Sequence, residues 1–259
     1  MNSYQLSELR VRAVSACGNT PAGVEELRRR PDSATMRVEM PDGTRLVMKF
    51  WDRRGWRATA RRLTRTTPSC REWRVMRRLW DRKVSIPRPI ARFHLEAPGA
   101  SFNEVLVMED LGAVRTVQRC IKDAIAEGKA DVVERLESDV IELTRRIVDA
   151  GVLDSDHSVM NIVCREDGRV YRLDFEVARL ARPVSVRPIL MAEMISRLVG
   201  TFVFTVQPDG ERAARFAVSL AGELGASKSV RRRAKRVVDA MLEKQRVTRG
   251  VDSKFLVEW

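Results

Sequence analysis

The sequence predicts an α+β protein in which a small β-rich part is followed by a larger helical part. Before about residue 110, β-type runs alternate with turns that contain Pro or Gly. After Gly112, apolar residues recur at the spacing of helices. We therefore expect one unit over residues 1–110 and a second over residues 111–259, with the natural ligand site in a cleft between the two.

The β-rich part contains a clear hairpin signal. The stretch "MRVEMPDGTRLVMKFW", residues 36–51, is two β-type runs around a Pro-Asp-Gly turn, and Lys49 lies near the end of the second run. The stretches "IARFHL" and "NEVLVMEDL" predict two more strands around the turn "APGA".

A helix is predicted between these two pairs of strands, over about residues 70–81. Ser69 followed three residues later by Glu72 fits a capping box at its start. Its apolar side chains recur at helical spacing: Trp73, Met76, Leu79 and Trp80. We interpret the two tryptophans as core residues rather than as surfaces on which nucleic-acid bases stack.

The second part begins with an amphipathic helix, "ADVVERLESDVIELTRRIVDAG", which should end at Gly151. A polar loop follows, "GVLDSDHSVMNIV", residues 151–163. The runs "NIVC" and "RVYRLDF" then predict short strands joined by an Asp-Gly turn, and helices should fill the chain from about Pro188 onward.

The charge balance predicts attraction to polyanions. Lys and Arg number 48 against 35 Asp and Glu, a net charge of +13, which suits nucleic acid, anionic lipid or a phosphorylated glycan. Ten arginines lie between Arg53 and Arg78. We interpret a second basic run, "SKSVRRRAKR", as a solvated helix face.

Composition also predicts a soluble cytoplasmic protein. The first residues, "MNSYQLSELRVRAV", lack the apolar core of a secretory signal, and the longest uncharged run, Leu198 to Pro208, is too short to span a bilayer. The four cysteines have neither zinc-site spacing nor a disulfide framework, and we expect ordinary thiols: Cys17, Cys70, Cys120 and Cys164.

The polar loop carries residues suited to phosphoryl transfer. Asp156 is followed five residues later by Asn161, and Asp174 comes thirteen residues after that. In this chemistry one acid orients the attacking hydroxyl and accepts its proton, while a second carboxylate and an amide oxygen hold Mg²⁺ against the nucleotide phosphates. The string "DHSVMN" has the Asp-four-residues-Asn form of a kinase catalytic loop, and "LDFE" stands where Asp-Phe-Gly would be.

The first part offers the complementary pair. Lys49 ends a strand and Glu72 lies 23 residues later near the start of a helix, which suits a lysine that binds the α- and β-phosphates and its acidic partner. Each residue has an ordinary explanation in isolation, as an exposed strand lysine, a capping acid or a loop residue. The order and spacing of all five together favour the kinase interpretation.

At these residues the sequence resembles the protein-kinase-like superfamily, and within it the bacterial lipopolysaccharide kinases that phosphorylate heptose or Kdo sugars of the inner core. The resemblance covers roughly Met36 to Arg179. It is carried by "LVMKFW", by "SCREWRVMRRLWDRKVSIPRPIA", by "VLVMEDL" as the hinge, and by "GVLDSDHSVMNIV" with "VYRLDFEVAR".

This resemblance implies a bilobal kinase fold that uses ATP and Mg²⁺. Asp156 would be the catalytic base, and Asn161 and Asp174 the metal ligands. Lys49 would bind the phosphates with Glu72 as its partner. Adenine would meet the backbone of the hinge: Met108, Glu109, Asp110 and Leu111.

The sequence departs from the family pattern at several positions. Asp154 stands where the family usually has His, Met160 where it has Gly, and Glu176 replaces the Gly after Asp-Phe. The only candidate for a glycine-rich phosphate loop is "ACGNTPAG", residues 16–23. His157 has two interpretations: a general base, or a side chain that braces the loop backbone.

Three functional hypotheses follow. The first is a kinase of a lipopolysaccharide core sugar or related glycolipid, whose arginines between Arg53 and Arg78 contact an anionic acceptor or the inner face of the cytoplasmic membrane. The second is an inactive kinase-like protein that binds nucleic acid or another polyanion. The third is a kinase for another small molecule, such as an antibiotic or choline. The acceptor pocket would come from helices at about 185–245, which carry no chemical signature.

Overall fold

The chain, in a computed structural model, is described over residues 3–17, 23–53, 60, 63–64, 66–95, 102–180 and 188–249. It separates into two compact units. The first comprises Met1–Trp80 and Pro87–Gly112, and the second comprises Asp81–Ile86 and Ala113–Trp259.

The first unit is built on a five-stranded antiparallel sheet with the strand order β1-β2-β3-β5-β4. The strands are β1 (Val24–Arg30), β2 (Ser33–Glu39), β3 (Arg45–Trp51), β4 (Pro89–His94) and β5 (Glu104–Glu109). Two helices accompany the sheet: α1 (Ser3–Cys17) and α2 (Pro68–Asp81). The sequence predicted four of the strands and α2, but neither α1 nor β1. The turn "APGA" lies outside the described residues.

The predicted hairpin is β2 and β3, and its alternating pattern places one face in the core. Met36 pairs with Met48 and Val38 with Leu46, and all four side chains are buried. Strand β5, which lies between β3 and β4, is buried on both faces from Val105 to Met108, as its unbroken apolar run requires. Helix α1 adds Leu9, Ala13 and Ala16 to the same core.

Helix α2 begins two residues earlier than predicted, because Thr67 rather than Ser69 caps it. The Cys70 N–H donates to Thr67 Oγ1 at 3.4 Å, and Pro68 occupies the first helical position, where its missing N–H costs nothing. Ser69 instead donates to Glu104 Oε2 at 2.5 Å. The capping-box interpretation of Ser69 and Glu72 is therefore wrong.

The expectation that Trp80 is a core residue is also wrong, since 41% of it is exposed. Successive helical residues point about 100° apart, so Trp80 turns outward beside the buried Leu79. Trp73 is half-buried, and the Arg77 guanidinium lies 5.6 Å from its ring centroid.

The second unit consists mainly of helices with two small sheets. The helices are α3 (Val117–Ala126), α4 (Ala130–Asp149), α5 (Pro188–Val206), α6 (Gly210–Glu223) and α7 (Lys228–Arg249). Strands β6 (Val114–Thr116), β8 (Ile162–Arg165) and β9 (Val170–Arg172) form one sheet, and β7 (Val152–Leu153) pairs with β10 (Arg179–Leu180). Helix α4 ends as predicted, since Gly151 has φ +78° and its N–H donates to Val148 O at 2.8 Å.

Helix α5 corrects one sequence-based expectation. Although it contains Glu193 and Arg197, it is, of the described residues, the one helix whose length and composition would allow it to cross a membrane. The length of the longest uncharged run is therefore too strict a criterion for a helix that could cross a membrane. Within the unit, 72% of its apolar stretch is buried, and it packs on α7, α6 and α3 as a core helix does.

The structure describes one of the two basic runs in full. Part of the run from Arg53 to Arg78 lies outside the described residues, as does most of "ACGNTPAG". The run "SKSVRRRAKR" begins α7 and is the solvated face that was expected. There Arg232, Arg233 and Arg236 are exposed, whereas Val230, Ala234 and Val238 are buried.

Candidate active site

The structure brings Lys49 and Glu72 together within the first unit. Lys49 Nζ on β3 donates to Glu72 Oε1 on α2 at 2.7 Å. The Glu72 side chain is 1% exposed and that of Lys49 is 13% exposed. A carboxylate at this depth needs a cation beside it, so the pair fixes the direction of the lysine.

The predicted hinge residues comprise the last two residues of β5 and the two residues that follow it. Met108 is buried, and the Glu109 N–H donates to Arg88 O at 3.0 Å while Glu109 Oε2 accepts from the Arg88 N–H. Asp110 accepts from Arg37 Nε at 2.8 Å and from the Gly112 N–H at 3.1 Å. Leu111 is half-buried. Because the Glu109 N–H is already engaged, an adenine would have to use other backbone groups of this segment.

In the second unit, Asp156 and Asn161 are hydrogen-bonded partners. Asn161 Nδ2 donates to Asp156 Oδ2 at 3.1 Å and to the Asp156 carbonyl oxygen at 3.0 Å. These two acceptors determine the orientation of the amide. They leave Asn161 Oδ1, a hard oxygen, as the atom that a cation such as Mg²⁺ would use.

Asp174 lies two residues after the end of β9, and the backbone just before it is hydrogen-bonded to Asn161. The Leu173 N–H donates to Asn161 O at 2.9 Å, so the residue before Asp174 is anchored beside the predicted metal-binding amide. Asp174 has φ +63°, in the left-handed region that Asp tolerates better than most residues. A carboxylate and an amide oxygen make a donor set that fits Mg²⁺.

Arg172 organises the loop of residues 151–163, and sequence reasoning missed it. Its side chain is fully buried and makes an ion pair with the equally buried Asp154. It also donates to the carbonyl oxygens of Asp156 and Asn161, each at 3.2 Å. One guanidinium thus fixes both ends of the candidate catalytic segment.

His157 braces the loop and does not serve as a base. Arg172 Nε donates to its Nδ1 at 3.1 Å, which places the ring proton on Nε2, 2.9 Å from Thr144 Oγ1. Burial lowers the pKa of His157 well below its ordinary value, and the positive charge of Arg172 lowers it further. The ring is neutral and both of its nitrogens are used.

Asp154, which stands where the family usually has His, is part of the same support. Its Oδ1 accepts from the Asp156 N–H at 3.0 Å. Burial raises the pKa of the Asp154 carboxyl, and Arg172 acts against that rise. A sequence signal was available, because a charged residue inside each of two apolar runs, Asp154 and Arg172, suggests an internal ion pair.

Arg197 of α5 is a further residue that the sequence did not single out. Its Nε and Nη2 lie 3.2 and 3.1 Å from Asp156 Oδ1. Both carboxylate oxygens of Asp156 therefore accept hydrogen bonds, one from Asn161 and one from Arg197.

A family model matches more than half of the chain. Residues 22–187 match the family described as "Lipopolysaccharide kinase (Kdo/WaaP) family". No curated protein matches the chain.

Two solved structures share the fold. "WaaP in complex with acyl carrier protein" is 18% identical with a TM-score of 0.63, over 93% of this chain and 97% of that one. "ROP18 kinase domain in complex with AMP-PNP and sucrose" is 13% identical with a TM-score of 0.52, over 92% of each chain. The predicted protein-kinase-like α+β fold is confirmed.

The matched segment contains Lys49, Glu72, Asp156, Asn161 and Asp174 and covers more than half of the sequence. The chain therefore belongs to the lipopolysaccharide kinase (Kdo/WaaP) family, a family of phosphotransferases that act on a hydroxyl acceptor.

Proposed function

We propose that this protein transfers the γ-phosphate of ATP to a hydroxyl of a lipopolysaccharide core sugar or a related glycolipid. Family membership supports the kinase class. The observation that carries the proposal is that Asp156 and Asn161 are hydrogen-bonded to each other, while the backbone just before Asp174 is hydrogen-bonded to Asn161. The proposed base and the two proposed cation ligands are therefore linked within one unit. ATP is the proposed donor, and the nucleotide analogue in the ROP18 kinase-domain structure supports that choice.

In the proposed reaction Asp156 accepts the proton of the acceptor hydroxyl. A bond forms between the hydroxyl oxygen and the γ-phosphorus, and the bond from that phosphorus to the β–γ bridging oxygen breaks, which releases ADP. Lys49, directed by Glu72, binds the phosphates of the nucleotide. Asn161 and Asp174 would hold Mg²⁺, which neutralises phosphate charge when it is bound.

The remaining parts of the proposal concern location and acceptor binding. We propose that the protein acts at the cytoplasmic face of the inner membrane, with the arginines between Arg53 and Arg78 contacting anionic lipid or the acceptor. The net charge of +13 supports this contact, since it attracts an anionic surface. The backbone of Met108 to Leu111 is the proposed contact for adenine.

The decisive test is the variant Asp156→Asn. It removes the proton acceptor and keeps the size of the side chain, so turnover should fall by roughly 10²- to 10⁴-fold. Transfer from labelled Mg-ATP to core glycolipid would be measured beside the affinity for Mg-ATP, which should change by less than about threefold because Asp156 does not bind the nucleotide.

Asp167→Asn is the matched control. Asp167 is an exposed acid in the turn between β8 and β9 of the same unit, and its variant should keep parental turnover. Turnover of Asp156→Asn equal to that of the parent would contradict the assignment of the base. Salt-sensitive RNA binding without any affinity for Mg-ATP would instead support the polyanion-binding hypothesis.

A further inference from the structure

Arg197 is an unusual residue for its helix. From Met191 to Val206, a stretch that is described throughout, it is the only exposed side chain, and the rest of this part of α5 is buried or half-buried. A core helix of this kind gains nothing in packing from a solvated guanidinium. The position therefore calls for another explanation.

Helix packing fixes where Arg197 lies. Thr201, one turn further along α5, accepts the Val159 N–H through its Oγ1 at 3.3 Å. Residues four apart lie on the same face of a helix, so one face of α5 contacts the candidate catalytic loop at two points. Arg197 is thus held beside Asp156 by a buried element rather than by a chance surface contact.

The ion pair alone does not account for the residue. The Arg197 and Asp156 side chains are 44% and 45% exposed, and exposed pairs of this kind contribute little to stability. Only two of the five guanidinium N–H donors face Asp156 Oδ1, and no other partner of Arg197 is found in the part of the chain that the structure describes. Donors therefore remain for a ligand.

The charge of the loop indicates what that ligand is. Residues 151–163 contain no Lys or Arg, and the nearby Arg172 is fully buried and committed to the loop backbone. Phosphoryl transfer spreads negative charge over the oxygens of the transferred group, and a guanidinium placed there lowers the barrier. In such a transfer the acceptor oxygen would lie within about 2.6–3.2 Å of the base, and the phosphorus within roughly 3–3.5 Å of that oxygen. A guanidinium already 3.1 Å from Asp156 can reach such a group.

We propose that Arg197 is a further catalytic residue that binds the oxygens of the phosphoryl group during transfer. Arg197 pairs with Asp156 Oδ1, and binding of the substrates would exchange that carboxylate oxygen for phosphoryl oxygens. This inference rests on the proposed kinase function. It places a catalytic group on α5, beyond the segment of residues 22–187 that matches the family.

The test compares Arg197→Ala and Arg197→Lys with the control Arg145→Ala. Arg145 is also a partly exposed helical arginine with acidic partners, but it lies on α4 and pairs with Glu142 and Asp149. The first measurement is binding by calorimetry of Mg-ADP with and without aluminium fluoride, which mimics the phosphoryl group in transfer. Arg197→Ala should bind Mg-ADP within about threefold of the parent but lose roughly 10²-fold in affinity for the fluoride complex.

The second measurement is turnover with Mg-ATP and core glycolipid. Arg197→Ala should lose about 10²- to 10³-fold in kcat with little change in either KM, and added guanidinium should restore part of the rate. Arg197→Lys should be intermediate, because an ammonium keeps the charge without the bidentate geometry. Arg145→Ala should behave as the parent does and should show no response to guanidinium.

Four outcomes would overturn the inference. Parental affinity of Arg197→Ala for the fluoride complex would show that the guanidinium does not meet the phosphoryl group. A rise only in the acceptor KM, larger for acceptors with an anionic substituent, would assign Arg197 to the acceptor instead. If the parent transfers phosphate and Asp156→Asn does not, an unaffected Arg197→Ala refutes this inference alone, whereas an inactive parent refutes the proposed function with it.

Discussion

At the scale of single residues, one ion pair determines which charges are buried in the first unit. In the first unit, Lys49 and Glu72 form an ion pair that lies almost wholly out of water. Such a pair is neither strongly stabilising nor dispensable, because removing one member leaves the other charge buried and alone. The proposed role of Lys49 in phosphate binding would use the direction that this pair gives to the lysine.

Lys49→Met should destabilise the protein by about 3–5 kcal/mol, since the Glu72 carboxylate loses its cation. The double variant Lys49→Met with Glu72→Gln should recover most of that loss, because no buried charge remains. Urea unfolding measures both values, and neither variant should bind Mg-ATP with parental affinity. Glu26→Gln removes an exposed pair with Arg29 and should change stability by less than about 0.5 kcal/mol.

His157 makes stability depend on pH in a known direction. The unfolded chain takes up a proton near the ordinary pKa of 6.5, and the folded chain does not, because burial lowers the pKa of the ring. The stabilising contribution is therefore present above that value and is lost as the pH falls below it. Between about pH 7.5 and about pH 5.5 the loss should be about 1.4 kcal/mol.

Urea unfolding of His157→Gln at the same two pH values isolates this effect. Between these two pH values the variant should not show the loss of about 1.4 kcal/mol, which is the free energy that corresponds to one pKa unit. The other histidine of the chain supplies a control, as His94→Gln should retain the contribution. An equal pH dependence in the parent and in His157→Gln would contradict the buried neutral ring.

At the scale of elements, β9 and the loop of residues 151–163 act together through Arg172. The Arg172 side chain joins the strand to the loop. In the sequence this arginine is visible only as one charged residue within an apolar run. In this loop Met160 stands where the family usually has Gly, and Asp154 stands where it usually has His. Asp154, which stands at the position of that histidine, forms a buried ion pair with Arg172.

Arg172→Met should cost about 3–5 kcal/mol, because Asp154 is left charged and buried. Adding Asp154→Leu should restore much of the stability but not the order of the loop, since the carbonyl oxygens of Asp156 and Asn161 would still lack their donor. Hydrogen exchange of the amides of residues 154–161 measures that order. Arg165→Met, a partly exposed arginine on β8, is the control and should leave the exchange unchanged.

Local signals predicted the elements that local chemistry determines. The Pro-Asp-Gly turn gave the β2–β3 hairpin and Gly151 gave the end of α4, since both depend on backbone conformations that few residues adopt. Thr67 shows the limit of such signals. It and Ser69 are both capping residues by type, and only the position of Glu104 on a distant strand determines which of them caps α2.

At the scale of the whole molecule, the kinase interpretation came from the order of five polar residues. The structure adds the side chains that hydrogen-bond to some of these residues. Arg172 and Arg197 could not be found from spacing, because their partners are 16 and 41 residues away and the link depends on tertiary packing. The excess of positive charge was visible from composition, but composition carries no information about which anion it meets. The match to the lipopolysaccharide kinase family supports the acceptor class proposed above, which composition left open.

Helix α5 is both the centre of its unit and the carrier of Arg197. Repacking its buried side would tilt the guanidinium away from Asp156 even when the domain still folds. Mutations in this helix that are selected only for higher thermal stability should therefore lower turnover. Thermal stability and catalytic rate cannot be improved independently at this element.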